Sequence, residues 1–261
     1  MPGFRDRFPA RKPLIGVIHL PALPGHDGSP GLGAAIAHAL ADLATYRVGG
    51  LDGVLVENEH DKPHRVEAAA ETVAAMTAVT RELVAAAGRG FPVGVEILLN
   101  DPEASLAVAL AAGAAFIRTD YWVDEMRRPE HGTMRIAPAE VLAYRSRIGA
   151  DHVLILADIQ VKYAEMLAPR ALAESARIAR EAGADAVVVT GTRTGEPPDP
   201  GEVAAAAEGA GDCPVLIGSG LAPDNAPALL AACDGAIVGT SLLAGRRADA
   251  ERIAALAAVR A

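Results

Sequence analysis

Short, unbroken apolar runs recur along the chain with longer helical patterns between them. The runs at 14–18, 53–56, 93–98, 115–118, 153–158, 186–189, 214–217 and 235–238 read as strands. Continuous rather than alternating apolar character belongs to a parallel sheet covered on both faces. Ala-rich amphipathic stretches at 31–48, 65–87, 102–112, 138–148, 171–182, 200–208, 224–231 and 249–259 predict helices between and after them. Eight successive strand–helix units fit a closed (β/α)8 TIM barrel better than an open doubly wound sheet. One domain over 1–261 is expected, with 1–12 as an N-terminal extension.

A degenerate repeat supports this order. Gly49-Gly50-Leu51-Asp52-Gly53-Val54 resembles Ala112-Gly113-Ala114-Ala115-Phe116 and Ala182-Gly183-Ala184-Asp185-Ala186-Val187. Each is a helix stopping at a glycine and turning at once into a strand. Such turns belong to the barrel end that serves stability, so no chemistry is assigned to them.

Composition narrows the picture. Of 261 residues, 51% are hydrophobic but only 3% aromatic, so Ala, Val, Leu and Ile must build the core. A net charge of −9 argues against nucleic acid or an anionic membrane as partner. A small anionic ligand stays open, because a local nest of N–H groups outweighs a distant global charge. Cys213 and Cys233 lack metal-ligand spacing and read as buried thiols in a reduced compartment, in keeping with a cytoplasmic location. Arg5, Arg7, Arg11 and Lys12 ahead of Leu14–Ile18 imitate a leader, yet His19 and two prolines break the apolar stretch, and it reads as strand one. No stretch of uncharged residues is long enough to span a bilayer. The Ala-rich outer helices make a homo-oligomer plausible without marking an interface.

Two glycine–hydroxyl turns carry the clearest chemistry. Gly218-Ser219-Gly220 follows Val215-Leu216-Ile217, and Gly239-Thr240-Ser241 follows Ala236-Ile237-Val238. In an eight-stranded barrel the loops after strands seven and eight commonly hold phosphate. Backbone N–H groups, with the positive end of the short helix each turn is expected to enter, form a cradle for a dianion. The competing reading is two tight connecting turns.

Polar residues also gather where the other strands end. They are His19; Glu57, Asn58 and Glu59; Glu96, then Asn100 and Asp101; and Arg118, Thr119 and Asp120. Asp158, Gln160 and Lys162 stand at period two and are expected to share one face. Asp158 and Lys162 are the leading pair for proton transfer, since a lysine in a partly desolvated pocket loses its proton more readily. A structural salt bridge is the rival reading. Glu57, Glu96, Asp120 and Asp158 together suit a hard cation such as Mg²⁺. His19 reads as a substrate-binding or acid/base group. Thr190-Gly191 through Pro197-Pro198 reads as an ordered loop or lid at the mouth, with a rigid surface turn as the rival reading. His26, His60, His64 and His131 are left without a role.

These motifs resemble the BtpA family, named for a role in photosystem I biogenesis and including SgcQ-like barrel proteins of sugar-operon contexts. The matching segments are Gly16–Gly25 (GVIHLPALPG), Asp52–Asn58 (DGVLVEN), Asn100-Asp101, Ala157–Lys162 (ADIQVK), Thr190–Gly195, Gly218–Gly220 with Asn225, and Asp234–Ser241 (DGAIVGTS). The family often carries Asn at the position of Glu96, Arg at Leu99, His at Gln160 and Tyr163, and Lys at Leu243. Two histidines beside Lys162 are thus replaced here. The resemblance implies a phosphate-binding barrel more firmly than a reaction.

The expected activity is that of an enzyme on a phosphorylated small molecule, a sugar phosphate or nucleotide-like compound, by lyase, isomerase or glycosyl-transfer chemistry. Asp158, Lys162, Glu57 and Glu96 are the expected catalytic set. His19, Asn58, Asp120, Thr190, Gly191, Thr194 and both glycine turns are expected to bind substrate. A non-catalytic assembly factor keeping the barrel is the alternative. A third reading is a retaining or hydrolytic enzyme working with paired carboxylates and no phosphate. No nucleophile elbow, Walker loop or dinucleotide fingerprint is present.

Overall fold

A computed structural model describes residues 3–260. Eight parallel strands close on themselves: β1 (Leu14–His19), β2 (Gly53–Glu57), β3 (Val93–Glu96), β4 (Phe116–Thr119), β5 (Leu154–Ile159), β6 (Ala186–Val189), β7 (Val215–Ile217) and β8 (Gly235–Val238). Each pairs with its sequence neighbours, and β1 closes the ring on β8 with Leu14 beside Ala236. Around them lie α1 (Leu32–Val48), α2 (Ala70–Ala87), α3 (Pro102–Ala112), α4 (Pro138–Arg147), α5 (Leu172–Glu181), α6 (Pro200–Ala210), α7 (Ala226–Ala231) and α8 (Ala250–Ala258). The fold is the TIM barrel that the apolar runs predict. No helix among the described residues is long and apolar enough to cross a membrane.

The strands are buried on both faces, which gives two cores. One lies between sheet and helices and is built from residues such as Ile18, Val54, Val95, Ile117, Ile155 and Val187. The other fills the barrel: Ile15, Val17, Leu55, Phe116, Leu154, Leu156, Val188, Leu216 and Ile237. Phe4 and Phe8 join this inner core from the N-terminal segment, and Phe8 meets the Phe116 ring edge-on at 5.6 Å. The segment expected as a mere extension thus carries a short helix, Phe4–Arg7, and two aromatic side chains of the inner core. Gly94 is required here, because a Cβ would run into the Phe116 ring.

Three segments depart from the sequence reading. Helix α2 starts at Ala70 rather than 65, because 60–69 is a mouth loop fastened to its neighbour: Leu99 N–H donates to Arg65 O (2.9 Å) and Ala68 N–H to Asp101 Oδ2 (2.8 Å). Between β4 and α4, the short strand Met126–Arg128 pairs on one side with Gly132–Met134 and on the other with Glu165–Met166 from the loop after β5. This small antiparallel sheet has its own apolar cluster of Leu99, Tyr121, Met126, Met134 and Val161. Third, Gly218-Ser219-Gly220 does not run straight into a helix. Residues 221–225 intervene before α7, whereas Thr240–Leu242 is a 3-10 turn directly after Gly239.

Candidate functional site

Period-two geometry sends alternate residues of each strand into the barrel. Counting on from the apolar interior positions leads, at the C-terminal ends, to His19, Glu57, Glu96, Arg118, Asp158, Thr190, Gly218 and Gly239. The inner stack therefore ends in a charged ring with two glycines in it. Those glycines make room. A Cβ on Gly218 would stand 3.0 Å from Arg118 Nη2, and one on Gly239 would stand 3.2 Å from His19 Cε1.

Arg118 is the centre of the ring. It is buried, and its Nε and Nη2 donate to the two oxygens of Asp158 at 2.8 and 2.7 Å, a bidentate fork. Its Nη1 lies 3.6 Å from Glu57 Oε1, and its Nε 3.9 Å from Glu96 Oε2. Burial works against the arginine's charge, but Asp158 and Glu96 hold its pKa well above the usual value. One cation among three buried carboxylates leaves them undercompensated. Burial pushes Glu96 well above the carboxylate range, with Glu57 and Asp158 adding to the push and Arg118 resisting it. Glu57 is also raised by burial, with Arg118 resisting the shift. Asp120, likewise buried, is pushed up to about 7 by burial and then by Asp158 and Glu96. His19, 3.6 Å from Glu57, is shifted down by burial, with Lys162 and Arg118 assisting against Glu59. Its imidazole is neutral at pH 7.

Two adjoining cavities open on this ring. One, of about 560 Å³, is lined by Glu57, Glu96, Arg118, Asp120 and Lys162 and by the loop after β2. The other, of about 230 Å³, lies against Gly218–Gly220 and Gly239–Ser241. His19, Glu57, Arg118, Lys162, Thr194 and Thr240 line both. The glycine turns and the acid ring thus share one end of the barrel. Among the described residues, the N–H groups of Ser219, Gly220, Gly239 and Thr240 donate to no protein acceptor. The turns are tied to each other by Ser241 Oγ donating to Leu221 O (2.6 Å).

The geometry revises several expectations. Asp158 does not pair with Lys162; it is engaged by Arg118, which the sequence reading noted but gave no role. Nor do Asp158, Gln160 and Lys162 share a face. Gln160 has φ +46°, which breaks the strand alternation, and its amide donates instead to Arg170 O and Ser175 Oγ, both at 3.1 Å. Among the described residues no group of three or more His, Cys, Asp or Glu side chains is arranged to hold a metal ion. The acids expected around Mg²⁺ surround a guanidinium. Asn58 is buried, donating to Asp61 Oδ2 and accepting from Leu98 N–H at 2.8 Å, and it lines neither cavity. Thr190 and Gly191 line a third cavity of about 270 Å³ behind Lys162. Ser219 Oγ accepts from Gly191 N–H and donates to Glu196 O, so it serves the loop rather than standing free. Cys213 and Cys233 are free thiols, raised by burial to about 12 and about 11.

Residues beyond the sequence set complete the larger cavity: Glu59, His60, Lys62, His64, Arg128, Tyr163 and Arg246. Arg128 and Tyr163 come from the small sheet and the loop that joins it. Tyr163 Oη accepts from Thr194 N–H at 2.9 Å, linking the loop after β6 to the loop after β5. Asn100, Tyr121, Gln160 and Tyr163 all have left-handed backbone, and all sit in mouth loops. Strain of that kind gathers where a site is held in shape.

The chain is similar to known proteins along nearly its whole length. The model of the BtpA family matches residues 10–259. A protein of Archaeoglobus fulgidus without a described function is 38% identical over 246 residues, 93% of this chain and 96% of that protein. The photosystem I biogenesis protein BtpA of Synechocystis sp. is 37% identical over 243 residues, 90% of this chain and 82% of that protein. Among solved structures, a 3-hexulose-6-phosphate synthase superposes with a TM-score of 0.60 at 18% identity, covering 95% of this chain and 100% of its own. At that identity the last match speaks to fold alone. Family model and relatives agree with the motifs read from the sequence: the chain belongs to the BtpA family.

Proposed function

We propose that this protein is an enzyme acting on a phosphorylated small molecule, a sugar phosphate or nucleotide-like compound, by lyase, isomerase or glycosyl-transfer chemistry. The observation that carries this reading is the wall that the two adjoining cavities share. Lys162, Arg118 and His19 border both the unpaired N–H groups of the glycine turns and the buried acids. A phosphate on Ser219, Gly220, Gly239 and Thr240 delivers the rest of the ligand to the acid ring. There Lys162 and Asp120 exchange protons with the reacting carbon. Arg118 stabilises negative charge developing on a substrate oxygen, held in place by Asp158, and Glu57 and Glu96 orient hydroxyl groups. Neutral His19 donates a hydrogen bond without adding charge. That a sugar-phosphate synthase shares the fold is consistent with this substrate class.

Inorganic phosphate tests the cradle directly. Binding to the folded state raises stability by about 2.7 kcal/mol at a hundredfold excess over Kd. Failure of phosphate, sulfate and sugar phosphates to raise the melting temperature refutes the reading and shifts weight to carboxylate chemistry without phosphate. The name of the Synechocystis relative favours a second reading, an assembly factor that keeps the barrel. Lys162→Ala separates the two. An enzyme loses turnover while keeping its melting temperature, whereas an assembly factor keeps its cellular phenotype.

A further inference from the structure

The larger cavity is too big for a phosphate alone, and its wall carries cations as well as the carboxylates Glu57, Glu59, Glu96 and Asp120. The chain carries a net −9, yet five cationic side chains line the larger cavity: Lys62, Arg118, Arg128, Lys162 and Arg246. Arg118 is committed to Asp158, and Lys62 to Glu59 at 2.9 Å. Arg128 is held differently. Its Nη1 donates to Tyr121 Oη at 3.2 Å, its guanidinium sits 5.8 Å from the Tyr163 ring centroid, and its buried Nε has no hydrogen-bond partner among the described residues. The nearest carboxylate, on exposed Glu130, lies 3.7 Å from that Nε, beyond hydrogen-bond reach. Two tyrosines and the ion pair with Glu130 hold an arginine at the wall of a cavity, and among the described residues its Nη2 donates to no protein acceptor. Arg128 borders only the larger cavity, and the glycines of the first turn border only the smaller one. The two anion-seeking groups therefore border different members of a pair of adjoining cavities.

We infer that Arg128 is a second anion-binding residue, and that the ligand carries an anionic group, carboxylate or phosphate, at the end remote from its cradle-bound phosphate. The inference rests on the phosphate reading above and narrows it to compounds with a second anionic group besides the phosphate. Arginine suits the task, because its planar fork matches a carboxylate or phosphate and keeps its charge. Arg246 at the exposed rim adds attraction at longer range.

Two open-chain probes separate the claims. Sorbitol 6-phosphate and 6-phosphogluconate differ at one terminus, CH₂OH against a carboxylate. The full chain is expected to bind 6-phosphogluconate about 10-fold to 100-fold more tightly, the range of one charge-assisted hydrogen-bonded contact. Arg128→Gln is expected to abolish that preference while inorganic phosphate raises the melting temperature as before, and Arg128→Lys to retain part of it. Equal affinity of the unmutated protein for the two probes, with phosphate still binding, overturns the second site and leaves the cradle standing. Loss of phosphate binding itself overturns both. Because the comparison of probes needs no variant, it stays decisive even if Arg128→Gln folds poorly.

Discussion

Replacing Asp120 with Asn is expected to stabilise the folded chain, and more so as pH rises. In the folded protein Asp120 keeps its proton up to about pH 7, whereas its ordinary value is 3.8. Between those two values the folded state binds more protons than the unfolded one, so stability falls as pH increases through the window. The penalty is absent below about pH 4 and complete above pH 7. Its ceiling follows from a shift of about three units at about 1.4 kcal/mol each, on the order of 4 kcal/mol. Sharing of the proton with buried Glu96, whose carboxyl is also raised, lowers the realised value to about 1–2 kcal/mol, roughly 2–8 °C in melting temperature for a chain of this length. The assay is a series of thermal melts of both proteins from pH 4 to pH 8.5. The difference between them must open from near zero at the acid end to its full size above pH 7. A difference independent of pH, or an Asn variant that is the less stable above pH 7, refutes the reasoning. A gain in stability together with lost turnover is the expected combination for a strained catalytic acid.

Arg118→Met leaves Asp158 buried and unpaired, which costs about 3–5 kcal/mol; melts are expected to show most of that loss at pH 7, and a smaller one near pH 4 as carboxylates take up protons. Gly220→Ala is expected to lower the melting temperature and weaken phosphate binding together. The residue has φ +70°, and a Cβ there would collide with the backbone of Glu196 and Pro197; such positions cost about 1–3 kcal/mol, and calorimetry with phosphate titration checks both effects.

The barrel was legible because its signal is redundant. Each strand is an apolar run, and several are announced by a helix-stopping glycine, so an error of a residue or two at one boundary left the count intact. The charged ring was harder to read. Glu57, Glu96, Arg118 and Asp158 stand some 20 to 40 positions apart, and only closure of the sheet brings them together. Strand parity held the missing clue: two residues beyond Phe116 comes Arg118, two beyond Leu156 comes Asp158, and both point inward. The same parity misled at Gln160, where one left-handed residue reversed the alternation. The small sheet left almost no trace, since its strands of two or three residues include Arg127, Arg128 and Thr133, and no hydrophobic period forms over so short a span. Arg128 was missed along with it. Asn58 was misassigned because a polar residue after a strand looks the same whether it faces a ligand or fastens two loops.

Gly218 has a double allegiance. Seen from the ligand it belongs to the anion cradle, but the space where its side chain would be is taken by Val188 and the guanidinium of Arg118. A methyl group at this one position would push on the cation that neutralises the barrel's own acids. Weakened ligand affinity in such a variant would therefore trace to a disturbed charge balance beneath the cradle as much as to a narrowed turn. The cradle and the proton-handling ring are mechanically one part, so altered ligand preference is more readily reached through exposed Thr240 than through the glycine itself.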